Sequence, residues 1–289
     1  MTFQRFYQIA YQDCLVHHLE HTNIFSLINH FYPQIANLTD LYPYFSKNIP
    51  NAIKESLINI WNQFINNKIP LARLLREGYF YDRSWIVDDD VFMFRNTSEL
   101  LVEMVNNYII QQTSVNEVLD LCCGTGVLGL SIVSHYPNIN LTSVDINNKA
   151  IINTQKNANK YNLKTTTVHM DYQDFLQSTT KKFDLIICNP PYIKTSFLLD
   201  TSVLQNDPYN ALVDPDHPLG ISFYSNIINW WVKNHQKCIL FFEIGYDQRE
   251  PLVQLLKNLG ITNYIFKKDY QGLDRILMIK ERDKNHENS

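Results

Sequence analysis

The chain has 289 residues, 45% hydrophobic and 19% charged, which excludes a disordered or collagen-like chain; at about twice the common domain length of roughly 150 residues, it is expected to hold one large domain and a smaller one. A formal net charge of −4 speaks against tight, sequence-independent binding to a phosphate backbone, and an odd count of five cysteines, two of them adjacent, speaks for reduced thiols rather than a disulfide framework. Apolar runs such as Cys238–Phe242 fall far short of the roughly 20 residues of a membrane-spanning helix, and Arg5, Gln8, Gln12 and Asp13 interrupt the start, so neither leader nor anchor is expected and the location implied is the cytoplasm.

From Phe3 to about Leu75, apolar residues recur every three or four positions, as in Ile24-Leu27-Ile28-Phe31, which predicts a helical module over 1–75. Residues 76–97 form the expected linker. There, aromatic and β-branched residues flank Asp88-Asp89-Asp90, a pattern that predicts a hairpin turning at the aspartates. A helix is expected from Ser98 to Gln111, with Ser98 or Thr97 as its cap. Beyond it, strand-like and helix-like segments alternate to about 281. Strands are expected near Val118–Cys122, Leu141–Ile146, Thr165–Met170, Phe183–Cys188, Lys237–Ile244, Asn263–Lys267 and Arg275–Lys280. This alternation is that of an α/β domain with a mostly parallel sheet, and the last two strands, too close for a crossover helix, make an antiparallel edge hairpin. Residues 282–289 read as a disordered tail.

The chemistry concentrates at three strand ends. Val118-Leu119-Asp120-Leu121 leads into Cys122-Cys123-Gly124-Thr125-Gly126-Val127-Leu128-Gly129, a G-x-G-x-x-G sequence at a strand-to-helix turn. Alone it fits a dinucleotide, a nucleoside cofactor or merely a tight turn. Asp145 ends the next strand about 20 residues on, where a carboxylate can accept both hydroxyls of a ribose. After the third strand, Asp171 could accept the amine of an adenine and Tyr172 cover its ring; a turn aspartate beside a core tyrosine fits equally well. Asn189-Pro190-Pro191-Tyr192 follows the buried strand Phe183–Cys188, and its two prolines, lacking N–H groups, leave a rigid rim of carbonyl and amide acceptors suited to an NH₂ group. An amide or arylamine nitrogen is a poor nucleophile because its lone pair is delocalised. Two acceptors holding its hydrogens would turn that lone pair towards an electrophile, so catalysis would rest on positioning and electrostatics.

Val118–Gly126, Asp145 and Phe183–Tyr192 together resemble the S-adenosylmethionine-dependent methyltransferases of the seven-stranded Rossmann-like class that act on planar NH₂ groups, and within it the HemK/PrmC group of protein-glutamine methyltransferases. Pro70-Leu71-Ala72, Tyr79-Phe80-Tyr81, Val91–Glu99, Asp207–Leu212, Gly220–Tyr224, Phe242–Gly245 with Gln248, and Lys268–Arg275 extend the resemblance over about 70–280. It implies S-adenosyl-L-methionine as cofactor, methyl transfer to a glutamine side-chain amide, and a protein substrate gripped by the helical module. That substrate would be a class-1 peptide chain release factor, or in a related branch a ribosomal protein. The implied cofactor contacts are Asp120, Cys122, Gly124, Thr125, Gly126 and Asp145, then Ile146, Asp171, Tyr172 and Asn189. Asn189, Pro190 and Tyr192 would be catalytic, and Asn189–Tyr192 with Arg95 and Glu99 would contact substrate; no metal is implied.

The chain departs from the family pattern at Cys122, which stands where the first loop glycine is usual, at Phe94-Arg95-Asn96 in place of Pro-Arg-Pro, and at Asp214–Pro218. A nucleic-acid methyltransferase acting on adenine is the competing enzyme reading, disfavoured by Asp82 and Asp88–Asp90 where a basic stripe would be needed. A divergent, inactive binding module is the non-enzymatic one. His17 and His21 form an i,i+4 pair, more simply solvated than metal-bound; Cys122 beside a helix start reads as packing rather than as a reactive thiolate; Trp230-Trp231 reads as core.

Overall fold

The protein is described by a computed structural model covering residues 1–112, 114–198, 201–234 and 237–280, so the tail expected over 282–289 lies outside the described residues. The chain divides into two compact units, Met1–Gly78 and Tyr79–Ser289. In the first, the apolar spacing becomes α1 (Phe3–His17), α2 (Thr22–Phe31), α3 (Leu38–Leu41), α4 (Asn51–Asn66) and α5 (Leu71–Leu75). Pro50 and Pro70 sit just before α4 and α5, where a missing N–H and a fixed φ do no harm. Phe6, Ala10, Ile24, Leu27, Leu57 and Trp61 close on one another as its core, and Trp61 Nε1 donates to Asp13 Oδ2 at 2.8 Å. His17 ends α1, His18 takes a left-handed cap and His21 precedes α2, so His17 and His21 do not share one helix.

The second unit begins with paired strands β1 (Glu77–Phe80) and β2 (Arg83–Ile86). The turn falls at Tyr81-Asp82, with Tyr81 at φ +61°, not at Asp88–Asp90 as the sequence pattern predicts. The aspartates lie beyond the hairpin because α8 (Asn148–Lys160) holds them: Lys156 pairs with Asp88 and Lys149 with Asp90, while Asn153 Oδ1 accepts from Asp88 N–H. Phe80, Trp85, Val87 and Phe94 are buried with α6 (Glu99–Ile110) in the core on one face of the main sheet.

That sheet has seven strands, matching the seven expected: β3 (Glu117–Leu121), β4 (Asn140–Asp145), β5 (Thr165–His169), β6 (Leu185–Cys188), β9 (Ile239–Glu243), β10 (Tyr264–Lys268) and β11 (Asp274–Ile279). Their spatial order is β10-β11-β9-β6-β3-β4-β5; five are parallel, and β11 runs antiparallel to both β9 and β10. Crossover helices α7 (Val127–His135), α8 and α9 (Tyr172–Ser178) carry the chain from β3 to β4, β5 and back to β6, and α11 (Ser222–Lys233) and α12 (Arg249–Asn258) follow. Two further two-residue strands, β7 (Ile193–Lys194) and β8 (Val213–Asp214), pair in parallel and bracket α10 (Thr201–Asn206); they are too short to register as a period-two pattern. Trp231 is core, its Nε1 donating to Cys238 O at 2.9 Å. Because the chain leaves β3 in one direction and returns through β6 on its other side, the strand order reverses between them. A crevice opens outside the carboxyl ends of strands at such a point.

Candidate active site

The loop after β3 is shaped by backbone conformation. Cys122, Gly124 and Gly126 have φ of +57°, +55° and +78°, so three residues within five take the left-handed region. A side chain at Gly126 would strike Thr154 at 2.6 Å, and one at Gly129 would strike Leu141 at 2.7 Å and Asp120 at 2.9 Å, so both positions let helix and sheet approach closely. Gly124 meets nothing nearer than 4.0 Å and its space is left for a ligand. From α8, Thr154 Oγ1 donates to Gly124 O at 3.1 Å and Asn157 Nδ2 to Thr125 O at 2.9 Å. The loop is thereby tied from behind.

The loop borders a cavity of about 300 Å³ lined by Cys122, Cys123, Gly124 and Thr125, by Asp145, Ile146, Met170, Asp171 and Tyr172, and by Asn189, Pro191, Phe92, Ser98, Tyr209 and Phe223 among others. Asp145 is held by two N–H groups, Gly124 to Oδ2 and Asn147 to Oδ1, each at 2.8 Å. Burial raises its pKa and those bonds oppose the rise. A carboxylate has about four acceptor sites, and these bonds do not fill them. Asp171 caps α9, Oδ1 accepting from Gln173 N at 2.8 Å, and lines the cavity. Tyr172 stacks on Phe223 with ring centroids 4.9 Å apart, and its hydroxyl accepts from Asn226 Nδ2 at 2.9 Å.

Asn189 reaches Ser98 Oγ with its Nδ2 at 3.4 Å. Behind the turn, Gln248 is a buried clip: Nε2 donates to the carbonyls of Tyr192, Leu219 and Gly220, and Oε1 accepts from Gly245 N–H. Gly220 is required there, since a Cβ would lie 2.1 Å from Tyr192 O. The rim is rigid for that reason as well as for its prolines.

Six sequence-derived candidates stand outside the lining. Asp120 is fully buried, Oδ2 accepting from Gly129 N–H at 3.0 Å and Oδ1 without a partner, and burial pushes its pKa up to about 7. Gly126 takes the helix start at φ +78°, and Pro190 is buried within its turn. Tyr192 turns its hydroxyl towards Glu243 and burial raises its pKa. Arg95 pairs with Asp207, which also accepts from Met93 N–H, and Glu99 accepts from Tyr81 N–H at 2.8 Å. Cys122 lies beside Cys188, and that hydrogen bond, with burial, raises its pKa well above the ordinary thiol value; it is no poised thiolate. Ser98, expected as a helix cap, occupies the cap position of α6 without a capping bond. Phe223 was missed because an aromatic on an amphipathic helix is indistinguishable from core by spacing, and Ser98 because its capping reading hid any other use.

The profile of the "Methyltransferase small domain" family matches residues 93–206. Among curated proteins, the chain is 32% identical over 222 residues to the release factor glutamine methyltransferase of Mycoplasma mycoides, covering 75% of this chain and 78% of that one. It is 29% identical to the enzyme of the same name from Clostridium botulinum, covering 74% and 77%. In structure it resembles the N-terminal domain of human METTL16, with a TM-score of 0.54 and 14% identity over 90% of this chain and 94% of that one, a likeness of fold alone. Fold and cavity thus define an S-adenosylmethionine-dependent methyltransferase of the seven-stranded class. An acidic pair, Asp145 and Asp171, around an apolar slot beside open backbone at Gly124 suits a nucleoside bearing hydroxyls and an amine, so the residues present fit that cofactor. More closely, the chain belongs to the release factor glutamine methyltransferase family.

Among the described residues no helix is long and apolar enough to cross a membrane.

Proposed function

We propose that the chain methylates the side-chain amide nitrogen of a glutamine in a class-1 peptide chain release factor, in the cytoplasm. What carries this reading is a pairing of strands: Leu121 lies opposite Cys188, so the cofactor loop and the Asn189–Tyr192 rim open on one cavity, in a chain whose relatives are named for that reaction.

Bound S-adenosylmethionine supplies a methyl group on a cationic sulfur. Gly124 and Thr125 would admit it closely, Asp145 would accept from its ribose hydroxyls, and Asp171, with Ile146 and Tyr172, would hold its adenine. Asp120, Cys122 and Gly126 hold the shape of the loop. Asn189 Oδ1, with the Pro190 carbonyl of the same turn, accepts the two hydrogens of the substrate amide. Asn189 cannot take a proton; it holds one geometry, which Pro191 and the Tyr192 anchor keep. Arg95 and Glu99 support the substrate side indirectly, through Asp207 and the Tyr81 turn. The helical unit Met1–Gly78 grips the protein substrate. A protein rather than a nucleic acid is favoured by the acidic segment Asp88–Asp90, whose neighbouring lysines Lys149 and Lys156 are engaged in pairing with it.

Transfer of labelled methyl into a release factor, separated ribosomal proteins, DNA and RNA, followed by mass spectrometry, tests the proposal. Label on a glutamine amide of the release factor is expected; label only on a ribosomal protein or on adenine overturns it.

A further inference from the structure

We infer that Ser98 and Glu243 are positioning residues that fix which end of the Asn189 amide faces the substrate. The inference rests on the proposal that Asn189 accepts from the substrate amide. The two ends of an asparagine amide are nearly equal in size and opposite in character, Oδ1 accepting and Nδ2 donating. Turned the wrong way, Nδ2 would meet the substrate NH₂ donor to donor.

Three observations set the orientation. Asn189 Nδ2 lies 3.4 Å from Ser98 Oγ, although Ser98 stands where a helix cap is expected and makes no capping bond. Ser98 is 1% exposed and its hydroxyl lies against the carboxyl of Glu243, itself 2% exposed. Glu243 Oε2 is buried without a hydrogen-bond partner, so this carboxyl is the strongest acceptor beside the Ser98 hydroxyl. A hydroxyl has one hydrogen. With it given to Glu243, Ser98 Oγ has only lone pairs left for Asn189, so it takes Nδ2 and leaves Oδ1 for the cavity. The contacts run from Asn189 through Ser98 to Glu243, and Tyr192, in the same turn as Asn189, turns its hydroxyl towards the same carboxyl. β9 carries Glu243 at its carboxyl end, next to β6, which carries Asn189 just beyond its own. One carboxyl therefore stands behind both ends of the Asn-Pro-Pro-Tyr turn. The pattern that could have disclosed it, Ser98 with Phe242-Glu243-Ile244-Gly245, is split across the chain.

The test uses the full chain labelled with ¹⁵N-asparagine, the Asn189 side-chain signal being assigned by its loss in Asn189→Ala. In Ser98→Ala that NH₂ signal should shift and its protons exchange faster with water, and in Ser98→Thr, which keeps a hydroxyl, it should stay near the wild-type position. With a release factor as acceptor, Ser98→Ala and Glu243→Gln should lower kcat by about 10- to 100-fold, with cofactor Kd changed less than about threefold, and Ser98→Thr should recover most of the loss. An unshifted Asn189 signal in Ser98→Ala overturns the inference, as does an equal loss in Ser98→Ala and Ser98→Thr with both folded. If the wild type methylates no release factor, the proposed substrate fails while the signal still decides whether Ser98 orients Asn189.

Discussion

The roles proposed for Asn189 and Asp145 differ, and substitution should separate them. Asn189→Ala should reduce kcat by roughly 100-fold, the scale of removing one preorganised polar group at a reacting centre, while calorimetry finds cofactor affinity nearly unchanged. Equal loss of cofactor binding would give Asn189 a different role. Asp145→Ala should weaken cofactor binding by about 1–3 kcal/mol, since it loses charged hydrogen bonds and also frees the N–H of Gly124. Cys122 poses a different question, because its φ of +57° is the conformation for which a glycine is usual. Cys122→Gly should be more stable than Cys122→Ala by about 1 kcal/mol in denaturant titrations, the left-handed penalty of a Cβ outweighing the flexibility of glycine. The reverse order would mean that the loop relaxes.

At the scale of elements, α8 is the part that makes the cofactor loop rigid. Asn157 is fully buried, donates to Thr125 O and Ile86 O, and accepts from Ile86 N–H, so one side chain joins the loop to β2. Asn157→Ala strands the Thr125 carbonyl and the Ile86 N–H, while Ile86 O keeps the bond from Asn153 Nδ2, and should cost about 2–3 kcal/mol of stability, read as a lowered denaturant midpoint. A change below 1 kcal/mol would show that water replaces the amide. The seven sheet strands and the edge hairpin were legible because Val118–Leu121, Leu185–Cys188 and Ile239–Phe242 are apolar runs bounded by turn residues. The early hairpin was misplaced. Asp88–Asp90 has turn composition, and only the lysines and asparagines of α8, some 60 residues away, convert it into a strap. Ser98 failed for the same reason: local rules assign a capping hydroxyl, and a buried carboxyl from β9 claims it.

Across the whole molecule, two buried carboxyls leave a mark on stability. Burial raises Asp120 and Glu243 each to about 7, whereas both titrate near 4 once unfolded. Between those values the folded chain holds protons that the unfolded chain has released, so each group makes stability fall as pH rises from about 4 to 7. The advantage of wild type over Asp120→Asn should therefore shrink by about 2 kcal/mol between pH 5 and pH 8 in paired denaturant titrations. A constant difference would mean that Asp120 ionises without penalty.

β11 has a consequence in time. It is inserted between β10 and β9, pairs Ile276 with Glu243, and accepts the Ile244 N–H on Arg275 O, although it comes after every other strand in the chain. During synthesis, a chain that has made β3 to β9 already contains every residue of the cavity yet lacks the strand that seats Glu243. The strand that flanks Glu243 is thus the last part of the sheet to be synthesised, after every residue that lines the cavity.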